Sequence, residues 1–316
     1  MFRYALKRIL EAIPTTIGVL VLTFVLFNVV GSSPAETILG KNATAESIAE
    51  FNHRFGYDKP LLIGEDGRIF DSQFFDFAFK LAKGDLGYSL ELDESVASIL
   101  KRGVGPSLSL TLPILAGGTI VALMMALLCA AYRGRWVDKT ILVFSTVLMS
   151  VNYVIWVLAG QFFLAFKAGL FPVWGYESVW NLALPVIIGI ALSLGMDIRF
   201  FRTAILDEVY KPYVLTARAK ELPGGVIMTR HVLRNALIPI VTYISLSIPY
   251  LFTGSLLLES FFGIPGLGAV SINAIHSADM AVVRSVVVLG ALLYQFVNLV
   301  TDLLYAALDP QVKLKS

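Results

Sequence analysis

The sequence predicts an all-α integral membrane protein with six transmembrane helices, and three observations predict it. The 316 residues are 57% hydrophobic and 15% charged, and mean hydropathy is +0.76, the composition of a chain dissolved in lipid rather than water. Apolar runs of roughly 20 residues, the length a bilayer crossing requires, recur along the chain. Lys and Arg collect in every second short connection between them. The net charge of +2 gives a nucleic-acid partner no electrostatic support. The lone cysteine, Cys129, excludes an internal disulfide, and His53, His231 and His276 show no metal-ligand spacing.

The first span covers 9–30 and follows a basic arm containing Arg3, Lys7 and Arg8. It is longer than the apolar stretch of a signal peptide and lacks a small-residue cleavage site, so it reads as a retained helix. Pro14 near its start is tolerated where neighbours satisfy the freed carbonyl. Residues 31–105 form a polar extracytoplasmic insert without a span, containing a helix-prone AESIAEFNHRFG and an aromatic FDSQFFDFAFKLAKGDLGYS. Phe74, Phe75, Phe77 and Phe79 form either the core stripe of a small helical subdomain or a face lying on the bilayer.

A five-helix core occupies 106–309. Its spans are 106–132, 141–166, 182–201, 237–258 and 281–308, and the aromatic PVWGYESVW before the fourth is typical of an interfacial belt. The chain ends in a tail, 310–316, carrying Lys313 and Lys315. The basic connections are the N-terminal arm, 133–139, 199–234 and the tail, whereas those around 167–177 and 259–279 are not basic. The positive-inside rule therefore places both termini in the cytoplasm and the 31–105 insert outside.

The most strongly charged connection, about 205–239, is not built like a loop. Tyr213 to Glu221 is rich in helix formers. Leu222-Pro223-Gly224-Gly225 breaks it, because proline removes a donor and glycine permits unusual backbone angles. A second helix starts near Val226 and carries His231, Arg234 and Asn235 toward the fifth span. Two short helices with a sharp turn, basic side chains outward, have the shape of a docking element for a soluble partner.

This segment resembles the cytoplasmic EAA loop of binding-protein-dependent ABC importer permeases, in their dipeptide/oligopeptide branch. The matching residues are Tyr213, Thr216-Ala217-Arg218-Ala219-Lys220, His231-Val232-Leu233-Arg234-Asn235-Ala236 and Pro239. Glu221 stands where that family usually has glycine. Gly56-Tyr57-Asp58-Lys59-Pro60 and Gly84-Asp85-Leu86-Gly87-Tyr88-Ser89 resemble two further signatures of the branch, and Gly31-Ser32-Ser33-Pro34 is a weak third. Glu259, Phe262 and Pro265-Gly266-Leu267-Gly268 match its ExxFxxPGLG element, and Asp302-Leu303-Leu304-Tyr305 with Asp309-Pro310 matches its sixth-helix ending, Gln311 replacing an arginine.

The resemblance covers nearly the whole chain. It implies the type I ABC importer permease fold and a place in a bacterial inner membrane, in the lipid bilayer beside a second homologous permease subunit. Two cytoplasmic ABC ATPases, holding ATP and Mg so that this chain binds no cofactor, and an extracytoplasmic substrate-binding protein complete the assembly. It implies that Tyr213, Thr216 to Leu222, His231, Arg234 and Asn235 meet the ATPases. It further implies that Glu259, Phe262 and Pro265 to Gly268 form an elbow at the external mouth, although physics alone allows a rigid turn as readily. Small side chains at Ala217 and Ala219 suit close approach by a partner. The insert is expected to meet the binding protein. Peptides, nickel chelates, glutathione and antimicrobial peptides are all cargoes of such relatives.

Few charges enter the spans. Asp197 and Arg199 lie near the inner end of the fourth, close enough to snorkel, and Asp302 lies well inside the sixth. Asp302, Asn298 and Gln295 are candidate pathway residues, yet such groups also join helices to one another. No GxxxxGK[ST] phosphate loop, HExxH or GxSxG is present, so this chain carries neither the ATPase nor a recognised membrane-enzyme site. The alternative is a secondary transporter or channel without an ATPase; the spans are poor in coupling carboxylates and show no repeated halves.

Overall fold

The computed structural model describes residues 2–30, 35, 39, 43–64, 70–89, 91–253 and 255–308; it does not describe the side chains of 2–9, 29, 30, 55, 250, 252, 253 and 302–308. The tail, Gly31-Ser32-Ser33-Pro34 and Asp309-Pro310 thus lie outside the described residues, as does the Asp302 side chain. The chain divides into two units, Met1–Val104 with Leu267–Ser316, and Gly105–Gly266.

In the first unit, α1 (Phe2–Val25) contains Pro14 and ends in a π turn, Leu26–Val30. The insert supplies α2 (Ala45–Phe55), capped by Thr44 and stopped by Gly56 at φ +75°, and α3 (Gln73–Ala82), capped by Ser72. The aromatic stripe of α3 packs on one side against α1. Phe74 and Phe77 pack on Phe24 of α1, ring centroids 5.5 and 6.1 Å apart, while Phe75 meets Phe70 and Phe79. Lys59 ties the preceding turn to α3 through Asp76 at 2.7 Å and Asp71 at 2.9 Å. These bonds, to Asp76 first, raise the Lys59 pKa above its ordinary value.

A two-residue ladder, β1 (Tyr88–Ser89) against β2 (Glu94–Ser95), was not legible in the sequence. It leads directly into α4 (Val96–Ala131), which begins ten residues before the expected 106, with Pro106 and Pro113 inside it. The early start follows from packing, since Val96, Ile99 and Leu100 are buried with Leu267, Ala274 and Val282 of the same unit.

Five helices of the second unit follow α4: α5 (Trp136–Ser150), α6 (Tyr153–Gly160, continued as a π segment Gln161–Lys167), α7 (Val179–Val209), α8 (Pro212–Ala219) and α9 (Gly224–Val226). A π turn, Ile227–Val232, then opens α10 (Leu233–Ser245), after which come α11 (Ile248–Thr253) and α12 (Leu256–Phe262). The first unit closes with α13 (Leu267–His276) and α14 (Met280–Leu308).

Two expected spans are corrected. The third, 141–166, is not one helix: α5 and α6 meet at a 95° bend, where Asn152 Oδ1 accepts from the Val154 N–H at 2.9 Å and restarts the chain. The fifth, 237–258, is divided among α10, α11 and α12. The fourth lengthens at both ends into α7, opened by a reciprocal Ser178–Asn181 capping box. Among the described residues four helices are long and apolar enough to cross a bilayer, and two bent pairs, α5–α6 and α12–α13, bring the number to six if each is one span.

Helices approach closely where side chains vanish, as membrane packing favours. A Cβ on Gly160 would lie 2.5 Å from Ile188 Cδ1, and one on Gly195 would lie 2.6 Å from Met149 Cγ.

Candidate functional site

The segment 205–239 folds as two helices around a turn, all within the second unit. Lys211 is the N-cap of α8 and Pro212 its first residue, where the missing N–H costs nothing. The helix has two faces. Val214 and Ala217, three apart, are buried with Ile205, Leu206, Ile227, Val232 and Ala236. Leu215 and Ala219, four apart, face outward with Thr216, Arg218 and Lys220, and Leu215 is 60% exposed. Ala217 therefore packs in the chain's own core and offers no surface to a partner. Leu215, passed over in the sequence, is the apolar projection on the outward face; the i, i+4 pairing with Ala219 was the signal for it.

The turn is built on Glu221, whose φ of +54° is the left-handed conformation that glycine adopts without strain. A residue with a Cβ thus takes the left-handed position in this turn. Glu221 N–H donates to the Arg218 carbonyl at 2.9 Å, and Pro223 caps the next helix. Leu222 and Val226 are 36% and 38% exposed, extending the apolar surface beside Glu221.

Other expected docking residues hold the scaffold. Tyr213 Oη donates to Glu208 Oε2 at 2.6 Å, securing α8 to the end of α7. Burial, followed by the Glu208 bond, raises the Tyr213 pKa. His231 and Asn235 are half-buried, Asn235 Nδ2 donating to the His231 carbonyl, while Arg234 is exposed.

Beneath this surface, α7 is fastened to the basic 133–139 connection. Arg202 Nε and Nη2 donate to Asp138 Oδ1 and Oδ2 at 2.8 and 2.9 Å, and the Gly134 N–H adds 2.9 Å to Oδ2. Arg133 lies over the Tyr210 ring, 4.8 Å from its centroid. Arg199 turns to Ser145 Oγ at 3.0 Å and to Thr146 Oγ1 rather than snorkelling.

At the other candidate site, Glu259 and Phe262 are completely buried. Glu259 Oε1 accepts from Ser107 Oγ at 2.8 Å and from the Ser255 N–H at 3.0 Å. Gly266 admits this arrangement, since a Cβ there would stand 2.4 Å from Glu259 Oε2 and 2.5 Å from Ser107 Oγ. Gly263, at φ +66°, lies under the Trp174 indole. The connection between α6 and α7 is pinned to the same place: the Gly175 N–H donates to the Phe262 carbonyl at 2.9 Å, and Gln161 Nε2 to the Phe261 carbonyl at 2.7 Å. Glu259, Phe262, Pro265 and Gly266 thus belong to one braced turn, while Leu267 and Gly268 are buried in the first unit.

Of the pathway candidates, the Asp302 side chain lies outside the described residues. Gln295 Nε2 donates to the Ala12 carbonyl, joining α14 to α1, and Asn298 is half-buried. No group of three or more metal-ligating side chains occurs among the described residues.

Comparison with known proteins adds the following. Residues 97–314 match the family described as binding-protein-dependent transport system inner membrane component, and residues 1–111 match the corresponding N-terminal family. The chain is 31% identical to the glutathione transport system permease protein GsiC of Escherichia coli (strain K12) and to that of Salmonella typhimurium (strain LT2), over 317 residues and 100% of both chains. The GsiC of Shigella flexneri serotype 5b is 30% identical over 319 residues, again at full coverage.

Proposed function

The chain belongs to the binding-protein-dependent transport system inner membrane component family, the multi-pass inner-membrane permeases of ABC importers in the peptide/oligopeptide branch, and we propose that it forms half of the translocation pathway for a peptide or peptide-like cargo. In this family ATP is hydrolysed by partner subunits, not by the permease. Full-length similarity to glutathione permeases supports a small γ-linked or ordinary peptide as cargo.

The observation that carries the coupling role is the outward face of α8, with Leu215 and Ala219 flanked by Arg218 and Lys220. An apolar projection ringed by cations fits a groove with acidic edges on a cytoplasmic ATPase. Its helix is seated on the end of α7 through Tyr213 and Val214, so displacement of the docking surface reaches the membrane helices directly. ATP binding draws two ATPases together, and α8 carries that motion into the bundle as a change between two states. The second permease subunit, the cytoplasmic position of both termini, ATP and Mg held on the ATPases alone, and contact between the insert and the binding protein complete this reading. The braced turn around Glu259 closes the external mouth.

The test is gentle purification of the tagged chain from its native membrane, followed by mass spectrometry and by uptake of labelled dialanine and glutathione into vesicles containing the complex. Recovery of two phosphate-loop ATPases and a second permease, with ATP-dependent uptake of either compound, is expected. A homo-oligomer retaining no ATPase would refute the assembly, and failure to take up either compound would refute the cargo.

A further inference from the structure

Asp197 brings a carboxylate into the membrane-spanning part of α7, about 27 Å from the Val179 end and about 18 Å from the Val209 end at 1.5 Å per residue. It does not snorkel. Tyr243 Oη of α10 donates to Asp197 Oδ1 at 2.9 Å, and Ser193 lies one turn away on the same helix. No cation faces it among the described residues. The two nearest arginines on its own helix are committed elsewhere, Arg199 to Ser145 and Thr146 and Arg202 to Asp138.

An ionised carboxylate in such a place is costly unless something positive meets it. The surroundings suit one kind of cation. The Tyr243 ring is stacked on Phe200, centroids 4.4 Å apart, and meets Phe201 edge-on at 6.0 Å, which holds the phenol hydroxyl against the carboxylate. Gly118 of α4 contributes no side chain there: a Cβ would fall 2.5 Å from Ser193 Oγ and 4.0 Å from Asp197 Oδ2. The surface beside the carboxylate is open, Met196 being 59% and Phe200 37% exposed. A carboxylate held by a phenol hydroxyl, with a serine hydroxyl one turn away, is the chemistry that accepts a charge-assisted hydrogen bond from an alkylammonium group.

We propose that Asp197, Tyr243 and Ser193 form a transit site for the primary ammonium group of the cargo, an assignment that rests on the peptide-cargo reading above. The amino end of the cargo meets the carboxylate as it passes, and the site discriminates against cargo lacking that charge.

The experiment uses the complete complex in vesicles. Cys129 is the chain's single cysteine and is buried, so Ser193→Cys supplies a reporter beside the carboxylate, and Met196→Cys a second if the first fails to assemble. Labelling by a trimethylammonium methanethiosulfonate is expected to run at least about tenfold faster than by the sulfonate reagent, one decade of selectivity for a single facing charge. Adding Asp197→Asn should bring the two rates together. Equal rates with Asp197 present, a preference that survives Asp197→Asn, or no labelling at either position would overturn the proposal. The last result would mean the carboxylate is sealed by a proton or by a basic side chain of the second subunit. Asp197→Asn alone should lower dialanine or glutathione uptake at least about tenfold while ATP hydrolysis stimulated by loaded binding protein is kept; unchanged uptake would also overturn it. Absence of uptake by the unmodified complex refutes the cargo reading instead, which the labelling rates do not depend on.

Discussion

Replacing Arg202 with methionine removes one partner from an ion pair that has little access to water. The side chains are 4% exposed at Asp138 and 20% at Arg202, and both guanidinium bonds are shorter than 3.0 Å. Stranding one partner of a buried pair costs about 3–5 kcal/mol. Asp138 keeps the Gly134 N–H, and a hydrogen bond to a charged group is worth about 1.5–3 kcal/mol, so the expected loss lies near the lower bound, about 3 kcal/mol. That is roughly a hundredfold in the folding equilibrium, at about 1.4 kcal/mol per decade.

Removing both charges differs in sign of coupling. In Asp138→Leu combined with Arg202→Met no ion is left desolvated, and such replacements are often neutral or stabilising. The double variant is therefore expected to be more stable than Arg202→Met alone, by about 2 kcal/mol. Equilibrium unfolding of the purified chain in mixed micelles titrated with dodecyl sulfate measures the four corners of the cycle. If the double variant falls by the sum of the single losses, or Arg202→Met is as stable as the unmodified chain, the pair is not the desolvated clamp described here.

Three further outcomes follow from the same geometry. Ala219→Asp should insert and fold normally yet abolish stimulation of the ATPases, because its side chain is exposed on the docking face; Ala217→Asp should instead fail to accumulate, since it buries a charge among Val214, Ile205 and Val232. ATPase assays and membrane abundance separate the two, and identical behaviour would contradict the assignment of faces. Gly266→Ala should lower the thermal midpoint and Glu259→Gln combined with it should not restore it, because the clash includes Ser107 Oγ as well as the carboxylate; a native-like midpoint for Gly266→Ala would show that the turn yields. Glu221→Val should loosen the α8–α9 turn by about 1–2 kcal/mol relative to Glu221→Gly, β-branching being poorly tolerated at φ +54°. Limited proteolysis at the turn reports this, and equal cleavage of both variants would argue against a left-handed residue there.

Much of the candidate site could be read without coordinates. The helix formers from Tyr213 to Glu221 and the break at Pro223 mark a helix and a turn by what these residues do to a backbone, and the two short helices follow from them. The partners of Asp138 and Glu259 could not be read, because Arg202 is 64 positions away and Ser107 152. No local pattern relates such residues. Nor does an eight-residue helix containing two alanines announce its inner face; the neighbouring Ile205 and Val232 decide that Val214 and Ala217 turn inward.

What the sequence by itself determined is the medium and the kind of molecule. Long apolar runs must satisfy every backbone group internally once in lipid, so they are helices wherever they fold. That argument needs hydropathy and length alone, and the full-length family match then follows residue by residue. Tertiary structure decided where those helices stop, bend and touch. Asn152 turns an apolar run through 95°, packing of Val96 and Ile99 draws α4 into the insert, and Asp197 meets Tyr243 of a distant helix. In lipid the hydrophobic effect does not choose among helix faces; close packing and paired polar groups do, and both depend on neighbours that lie far away along the chain.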